Sequence, residues 1–104
     1  MKLRLVYVTA SDAEEAGRIA RVLVAERLAA GVNVIGGVGS TYWWRGEMRQ
    51  ETEAVLIAQT TDALVPQLVA RVKELHSYEC PCVVSVPIMD GNQDFLEWIA
   101  AETK

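Results

Sequence analysis

The sequence has few of the residues that usually carry metal or nucleophilic chemistry, with one histidine and two cysteines in 104 residues. His76, Cys80 and Cys82 all lie within residues 76–88, together with two of the three prolines. A helical pattern ends at this segment and a strand-like pattern begins in it. We therefore expect any site chemistry near this junction. Cysteines two residues apart have poor geometry for a disulfide, so we expect reduced thiols.

The sequence also lacks an excess of basic charge and a long apolar run. Ten Lys and Arg residues are scattered among 14 Asp and Glu residues, for a net charge of −4. Nucleic acids and anionic membranes are bound through clustered basic residues, so we exclude both as partners. No apolar run reaches the roughly 18 residues that span a bilayer, and the N-terminal residues lack a signal-peptide pattern. We expect a cytoplasmic protein.

The sequence is rich in apolar residues. They make up 51% of the chain, and the mean hydropathy of +0.14 is high for a small monomer that must keep a polar surface. The length fits one domain over residues 1–104. Self-association would bury the surplus apolar surface, so we predict an oligomer.

The first half of the chain has the pattern of strand, helix and strand. Residues 3–9 are β-branched, aromatic or apolar at six of seven positions, which predicts a strand. Ser11 and Glu14 have capping-box spacing and predict the start of a helix, and Gly31 predicts its end. Residues 32–45 have the pattern of a long strand interrupted by glycines, where we expect a bulge.

The middle of the chain predicts a long hairpin. Gly46 allows a turn, and residues 53–60 form the returning strand. A long hairpin with exposed aromatic residues is unstable in water by itself, so another subunit is the simplest cover.

The remaining elements are a second long helix, a strand and a short helix. Thr61 or Asp62 predicts the helix start, and Pro66 predicts a distorted first turn. Residues 82–86 lie between two prolines and predict a strand that is not fully paired at its ends. Asn92 predicts the cap of the C-terminal helix, with Phe95, Leu96 and Ile99 facing inward and Trp98 at the edge.

This order of elements predicts an α+β fold. Two right-handed strand-helix-strand units give the ferredoxin-like βαββαβ sandwich, with a further helix at the C-terminus. Both long helices then cover one face of an antiparallel sheet. The other face is apolar and bare, so we expect symmetric association to bury it.

The segment around the histidine supports two interpretations. His76 ends the second long helix, where a capping or hydrogen-bonding role is favoured by the helix macrodipole. Alternatively, His76, Cys80 and Cys82 form a soft-metal site, joined by a carboxylate from Glu79 or Glu53. The spacing is not that of a closed zinc site. A Cys-His nucleophile has no evident orienting residue, so structural cysteines are the default.

The aromatic segment Tyr42, Trp43 and Trp44 also supports two interpretations. Alternation along a strand puts Tyr42 and Trp44 on one face and Trp43 on the other. Packing at a subunit interface is favoured over a ligand cage, because aromatic residues dominate desolvated contacts.

Several segments together resemble the CutA divalent-cation tolerance family, in order and over nearly the whole chain. They are 28–33 (Leu-Ala-Ala-Gly-Val-Asn), 40–46 (Ser-Thr-Tyr-Trp-Trp-Arg-Gly), the Thr60-Thr61 step, 72–79 (Val-Lys-Glu-Leu-His-Ser-Tyr-Glu) with Pro81, and Pro87-Ile88 ending near Gly91. The resemblance implies a ferredoxin-like subunit, a homotrimer similar in shape to the PII signalling trimers, and a role in copper and heavy-metal tolerance.

The sequence departs from the family pattern at several positions. Family members usually carry Cys at Gly31, Lys at Gln59, Pro at Ser77 and Glu at Cys82. The copper site proposed in the family draws on positions that are Val8, Leu75 and His76 here. Only His76 matches, so the resemblance implies weak metal binding for this chain.

Three functional hypotheses follow. The first is a non-enzymatic, cytoplasmic homotrimer for divalent-cation tolerance that binds copper or another divalent cation weakly, if at all. The second is a PII-like regulatory trimer that binds a small ligand or a protein in a cleft between subunits. That cleft would be lined by His76, Tyr78, Glu79, Trp44 and Gln59. The third is a hydrolase or transferase that uses His76 and a cysteine.

Overall fold

The computed structural model describes residues 1–104 as a four-stranded antiparallel sheet with three α-helices. The elements in chain order are β1 (Leu3–Ala10), α1 (Ala13–Ala25), β2 (Gly31–Trp44), β3 (Glu47–Thr61), α2 (Val65–Leu75), β4 (Val83–Pro87) and α3 (Gln93–Glu102). The strands lie in the order β2-β3-β1-β4, so β2 and β4 are the edges. The predicted α+β class is confirmed. No helix has the length and apolar character needed to span a membrane.

The main core lies between one face of the sheet and helices α1 and α2. Alternate residues of the central strands point into it, as the pleat of a strand requires. At most 2% of the surface of each of its central residues is exposed: Val6 and Val8 of β1, Leu56 of β3, Ile19 and Leu23 of α1, and Leu68 and Val72 of α2. Burying side chains of this size is the main favourable contribution to folding, about 1.5–3 kcal/mol for each.

The opposite face of the sheet is covered only at one end. There α3 packs with Ile99 fully buried and with the Trp98 ring against Gly31. Of the three residues predicted to face inward, Ile99 is fully buried and Leu96 is partly buried, but Phe95 is 47% exposed, so the prediction was wrong for Phe95. Over the rest of this face, which we call the open face, four large apolar side chains are 41–55% exposed: Tyr7, Ile35, Val84 and Val86.

Helix α1 begins one residue later than the capping pair Ser11 and Glu14 predicts. Asp12 is the N-cap, and its carboxylate accepts the Glu15 N–H at 2.8 Å. Glu15, which is 3% exposed, turns back to accept the Ser11 N–H at 3.0 Å. The predicted pair was therefore wrong by one position, since both Ser11/Glu14 and Asp12/Glu15 have the same spacing.

Helix α1 also ends earlier than Gly31, the predicted cap. Arg27 takes the left-handed conformation with φ 63°. The Leu28 N–H then bonds the Leu23 carbonyl at 2.9 Å, and the Arg27 N–H bonds the Val24 carbonyl at 3.0 Å. This pair of bonds is a Schellman motif, so the cap does not need a glycine.

Strands β2 and β3 form the long hairpin, and β3 starts six residues before its predicted start at Glu53. The register shifts between Ile35 and Val38, where Gly37 has φ +68°, so the predicted bulge is confirmed. Arg45 and Gly46 form the two-residue turn with φ of 50° and 80°.

The first turn of the second long helix is distorted, as Pro66 predicts. Asp62–Leu64 is a 3₁₀ turn, and α2 begins only at Val65, which places the proline in its first turn. No side chain caps this turn. The Asp62 carboxylate instead accepts the Arg4 Nε–H at 2.9 Å, which ties the helix start to β1.

Candidate functional site

A cleft of about 710 Å³ opens on the open face, between the outer half of the hairpin and the loop that joins α2 to β4. We call this loop, residues 76–82, the junction loop. Tyr42 and Trp44 line the cleft from β2, as the alternation predicts. Glu51 and Glu53 line it from β3, two residues apart on the same face of the strand. The sequence interpretation missed Glu51, although its alternation with Glu53 was a usable signal.

Two tyrosine hydroxyls hold the two carboxylates in place. Tyr42 donates to Glu51 at 2.8 Å, and Tyr78 of the junction loop donates to Glu53 at 2.6 Å. Glu53 is only 7% exposed. Burial and the bond to Glu53 raise the pKa of Tyr78, and the bond to Glu51 raises the pKa of Tyr42. Both phenols therefore stay protonated and act as donors, and the carboxylates give the cleft a negative character.

The hairpin turn and the junction loop are bridged by an ion pair at the cleft rim. The Arg45 guanidinium contacts the Glu79 carboxylate at 2.6 Å and lies 5.2 Å from the centre of the Trp44 ring. Both charged side chains are about 70% exposed, so the ion pair is worth at most about 1 kcal/mol. A contact this weak can open to admit a ligand.

His76 holds the start of the junction loop and does not line the cleft. Its Nδ1 accepts the Tyr78 N–H at 3.1 Å, so its Nε2–H donates to the Thr9 carbonyl at 2.7 Å. Its ring also packs against the Tyr78 ring, with centroids 4.6 Å apart. Both ring nitrogens are therefore occupied by backbone groups, which supports the hydrogen-bonding interpretation of His76 over the metal-ligand one.

A buried carboxylate anchors the same loop to α1. Glu15 accepts the Ser77 N–H at 2.9 Å in addition to the Ser11 N–H and hydroxyl. Burial by itself would raise the pKa of Glu15, but the hydrogen bonds from Ser11 and Ser77 outweigh it and lower the pKa from 4.5 to about 2. No local pattern predicts this contact, because Glu15 and Ser77 are 62 residues apart.

The structure brings together only part of the predicted metal set. Glu79, Cys80 and Cys82 line the cleft, and both cysteines are exposed free thiols. His76 lies outside it with both nitrogens engaged. No three His, Cys, Asp or Glu side chains within one subunit are placed to hold a common metal ion. The predicted four-residue site is therefore not formed within a single subunit.

Two other predicted residues lie elsewhere. Gln59 is six residues along β3 from Glu53, or about 20 Å, and donates to Asn33 at 3.0 Å. Its side chain lies beside Gly31 and so close to it that a Cβ at that position would be 2.9 Å from the amide oxygen. Trp43 is 74% exposed and points to the other side of the hairpin.

This combination of sheet, helices and hairpin has close structural counterparts. The crystal structure of CutA1 from Oryza sativa superposes with a TM-score of 0.97 at 38% identity, covering 100% of this chain and 95% of that one. The divalent cation tolerance protein Cut A1 from Thermus thermophilus superposes with a TM-score of 0.95 at 41% identity, covering 98% and 99%. A structure described as the periplasmic divalent cation tolerance protein CutA from Archaeoglobus fulgidus superposes with a TM-score of 0.94 at 36% identity, covering 98% and 99%.

The sequence comparisons agree with the fold. The sequence model of the CutA1 divalent ion tolerance proteins matches residues 4–102, so this chain belongs to that family. It is 42% identical to the Divalent-cation tolerance protein CutA of Thermus thermophilus over 99 residues, covering 95% of this chain and 96% of that protein. It is 39% identical to Protein CutA 1, chloroplastic, of Oryza sativa over 100 residues, which are 96% of this chain but only 56% of the rice protein.

Proposed function

We propose that this chain forms a non-enzymatic, cytoplasmic homotrimer that contributes to tolerance of divalent cations, copper among them, and that binds a cation weakly in the cleft. The observation that carries the proposal is the pair of carboxylates, Glu51 and Glu53, inside a cleft of a chain that belongs to the divalent ion tolerance family. Carboxylate oxygens are ligands for hard and borderline divalent cations.

The contacts in the cleft support weak binding over tight binding. Each carboxylate already accepts a tyrosine hydroxyl at 2.6–2.8 Å, and Glu79 already pairs with Arg45. A cation must share or displace these partners and lose part of its hydration shell. The net gain is then small compared with that of a site whose ligands are free and preorganised.

The trimer is supported by surface that one subunit leaves uncovered. The open face exposes Tyr7, Ile35, Val84 and Val86, and β2 is an edge strand of 14 residues. Long unpaired edges and apolar patches are usually covered by another chain. The strand order β2-β3-β1-β4 supports the ferredoxin-like assignment. The number three comes from the family resemblance.

One observation supports a non-enzymatic role, and another supports a cytoplasmic location. The only histidine is occupied by backbone hydrogen bonds, which leaves no imidazole free to act as a general base. Two exposed free thiols fit a reducing compartment such as the cytoplasm. The relative from Archaeoglobus is described as periplasmic, so cell fractionation of the expressed protein is needed to test the compartment.

The experiment is calorimetric titration with Cu(II) and Zn(II), combined with metal challenge of a host that lacks its own homologue. We expect wild-type protein to give weak heats and to restore growth, and Glu51→Gln with Glu53→Gln to lose both. Glu14→Gln is the matched control, because Glu14 lies on α1 with its side chain 84% exposed. Heats that the double variant leaves unchanged would contradict the carboxylate site.

The cleft volume favours one alternative, a PII-like regulatory trimer that binds a small ligand or protein partner. A volume of about 710 Å³ lies within the usual range for small-molecule sites, about 300–1,000 Å³. Tyr42, Trp44 and Tyr78 would then line the ligand. A thermal-shift screen of metabolites distinguishes the two proposals, since a hit lost in Trp44→Ala without added metal favours the alternative.

A further inference from the structure

We propose that the cleft binds a small organic amine, with the primary ammonium group on Glu53 and the apolar body against aromatic rings. The rings are those of Tyr42, Trp44 and Tyr78, which line the same cleft. The proposal rests on the alternative function above, a regulatory trimer with a small ligand in the cleft, and it names the chemical class of that ligand. It differs from the divalent-cation proposal in its ligand, its contacts and its assay.

Glu53 is a nearly buried carboxylate with one oxygen left for a ligand. It is 7% exposed, and its Oε2 accepts the Tyr78 hydroxyl at 2.6 Å. Its Oε1 accepts no hydrogen bond within the subunit. Because no fully buried side-chain oxygen or nitrogen lacks a partner, Oε1 must reach the surface of the cleft. Holding a carboxylate charge out of water without a cation is costly, so a cationic ligand gains by pairing with it.

The charges that line the cleft favour a cation. Four charged side chains line it: Arg49, Glu51, Glu53 and Glu79. Glu79 pairs with Arg45 at the rim. Arg49 pairs with Glu47, outside the cleft, at 3.9 Å. The two carboxylates of β3 form no ion pair within the subunit, so the cleft attracts a positively charged ligand.

The number of free acceptors favours an ammonium group over a metal ion. Hard divalent cations require about six oxygen ligands. Glu51 and Glu53 each have one oxygen already bonded to a tyrosine hydroxyl, which leaves one oxygen on each. A primary ammonium group has only three N–H donors to satisfy. The two carboxylates lie two residues apart on one face of β3, so both can accept from the same group, and water can accept the third N–H.

The rest of the cleft selects the body of the ligand. Its volume of about 710 Å³ is far larger than a metal ion needs and suits a small organic molecule. The three aromatic rings are partly buried, and their faces attract cations as well as apolar groups. The Arg45 guanidinium, 5.2 Å from the centre of the Trp44 ring, already makes such a contact at the rim. The ligand class is therefore a primary amine with an aromatic or aliphatic body.

The test is calorimetric titration of the full chain with phenethylamine, which is protonated at pH 7, with a metal chelator present throughout. Phenethyl alcohol is the matched ligand, because it has the same ring and chain but no charge. We expect the amine to bind and the alcohol to bind at least about 10-fold more weakly, since only the amine can pair with a carboxylate.

Glu53→Gln removes the charge but keeps the size of the side chain and an acceptor for the Tyr78 hydroxyl. It should weaken binding of the amine by at least about 10-fold and leave binding of the alcohol unchanged. Glu51→Gln, at an exposed residue, should also weaken binding of the amine, and it keeps the test decisive if circular dichroism shows that Glu53→Gln is unfolded. Glu14→Gln, on the exposed side of α1, is the control and should bind like the wild type.

No binding of the amine, equal binding of amine and alcohol, or unchanged binding of the amine in the folded glutamine variants would overturn the ammonium site. The divalent proposal is measured with Cu(II) and Zn(II) in the absence of chelator, so its failure is recorded separately. If the thermal-shift screen finds a metabolite whose effect is lost in Trp44→Ala but the amine does not bind, the regulatory function stands and the ligand class is wrong.

Discussion

Replacing Glu15 by Gln removes the charge of the buried carboxylate that joins α1 to the junction loop. The pKa of Glu15 is lowered from 4.5 to about 2. At about 1.4 kcal/mol for each pH unit, this corresponds to about 3 kcal/mol of stability at neutral pH. Gln can still accept one N–H but carries no charge, so we expect Glu15→Gln to lower the free energy of unfolding by about 2–3 kcal/mol at pH 7.

The direction of the pKa shift determines how the stabilisation by Glu15 depends on pH. Because the folded-state pKa is below the unfolded one, the stabilisation is complete above about pH 5 and is lost as the pH falls toward 2. By pH 3 only about 1.4 kcal/mol of it remains, so the difference between wild type and variant should fall by about half. Urea unfolding at fixed protein concentration and several pH values measures this, since self-association makes stability depend on concentration.

Glu14→Gln again serves as the control, one residue away and exposed, and should change stability by less than about 0.5 kcal/mol. The Ser77 amide should also exchange its hydrogen faster in Glu15→Gln, because it loses a charged acceptor. If Glu15→Gln is as stable as Glu14→Gln at pH 7, or if the difference does not narrow in acid, the assignment of Glu15 as the anchor of the junction loop is wrong.

Two further predictions concern the core and the open face. Thr60 is fully buried and donates to the Leu28 carbonyl at 2.6 Å. Because Thr60→Val leaves that carbonyl unpaired, it should lower the free energy of unfolding by about 1–3 kcal/mol, measured by chemical denaturation. A variant as stable as the wild type would contradict this. Val86→Lys, on the open face, should shift sedimentation toward smaller species, whereas Val24→Lys on the outer side of α1 should not. Identical sedimentation of both variants would argue that another surface holds the subunits together.

Local patterns in the sequence predicted most elements of the fold correctly. The glycine-interrupted strand, the turn at Gly46, the distortion near Pro66 and the cap at Asn92 are each caused by residues close in sequence. The cap at Gly31 was wrong because Arg27 takes the left-handed conformation, and a rare conformation of a non-glycine residue leaves no signal in composition.

The candidate site was less predictable, since it depends on contacts between distant segments. Alternation placed Tyr42 and Trp44 together correctly. It carries no information on the bond from Tyr78 to Glu53, 25 residues apart, or on the engagement of His76 by the Thr9 carbonyl. Gln59 was expected in the cleft, but its position along β3 places it near α3 instead.

The bulge between Ile35 and Val38 divides the hairpin into two segments whose registers are set separately. The outer segment carries Trp43 and Trp44 on opposite sides, and each extra residue in one arm would exchange the two sides. A single unmatched residue therefore requires a bulge such as the one between Ile35 and Val38, whereas residues added in matched pairs to both strands keep each side chain on its face. In protein engineering, trimming two residues from each strand would shorten the arm while keeping the remaining cleft residues on the same face.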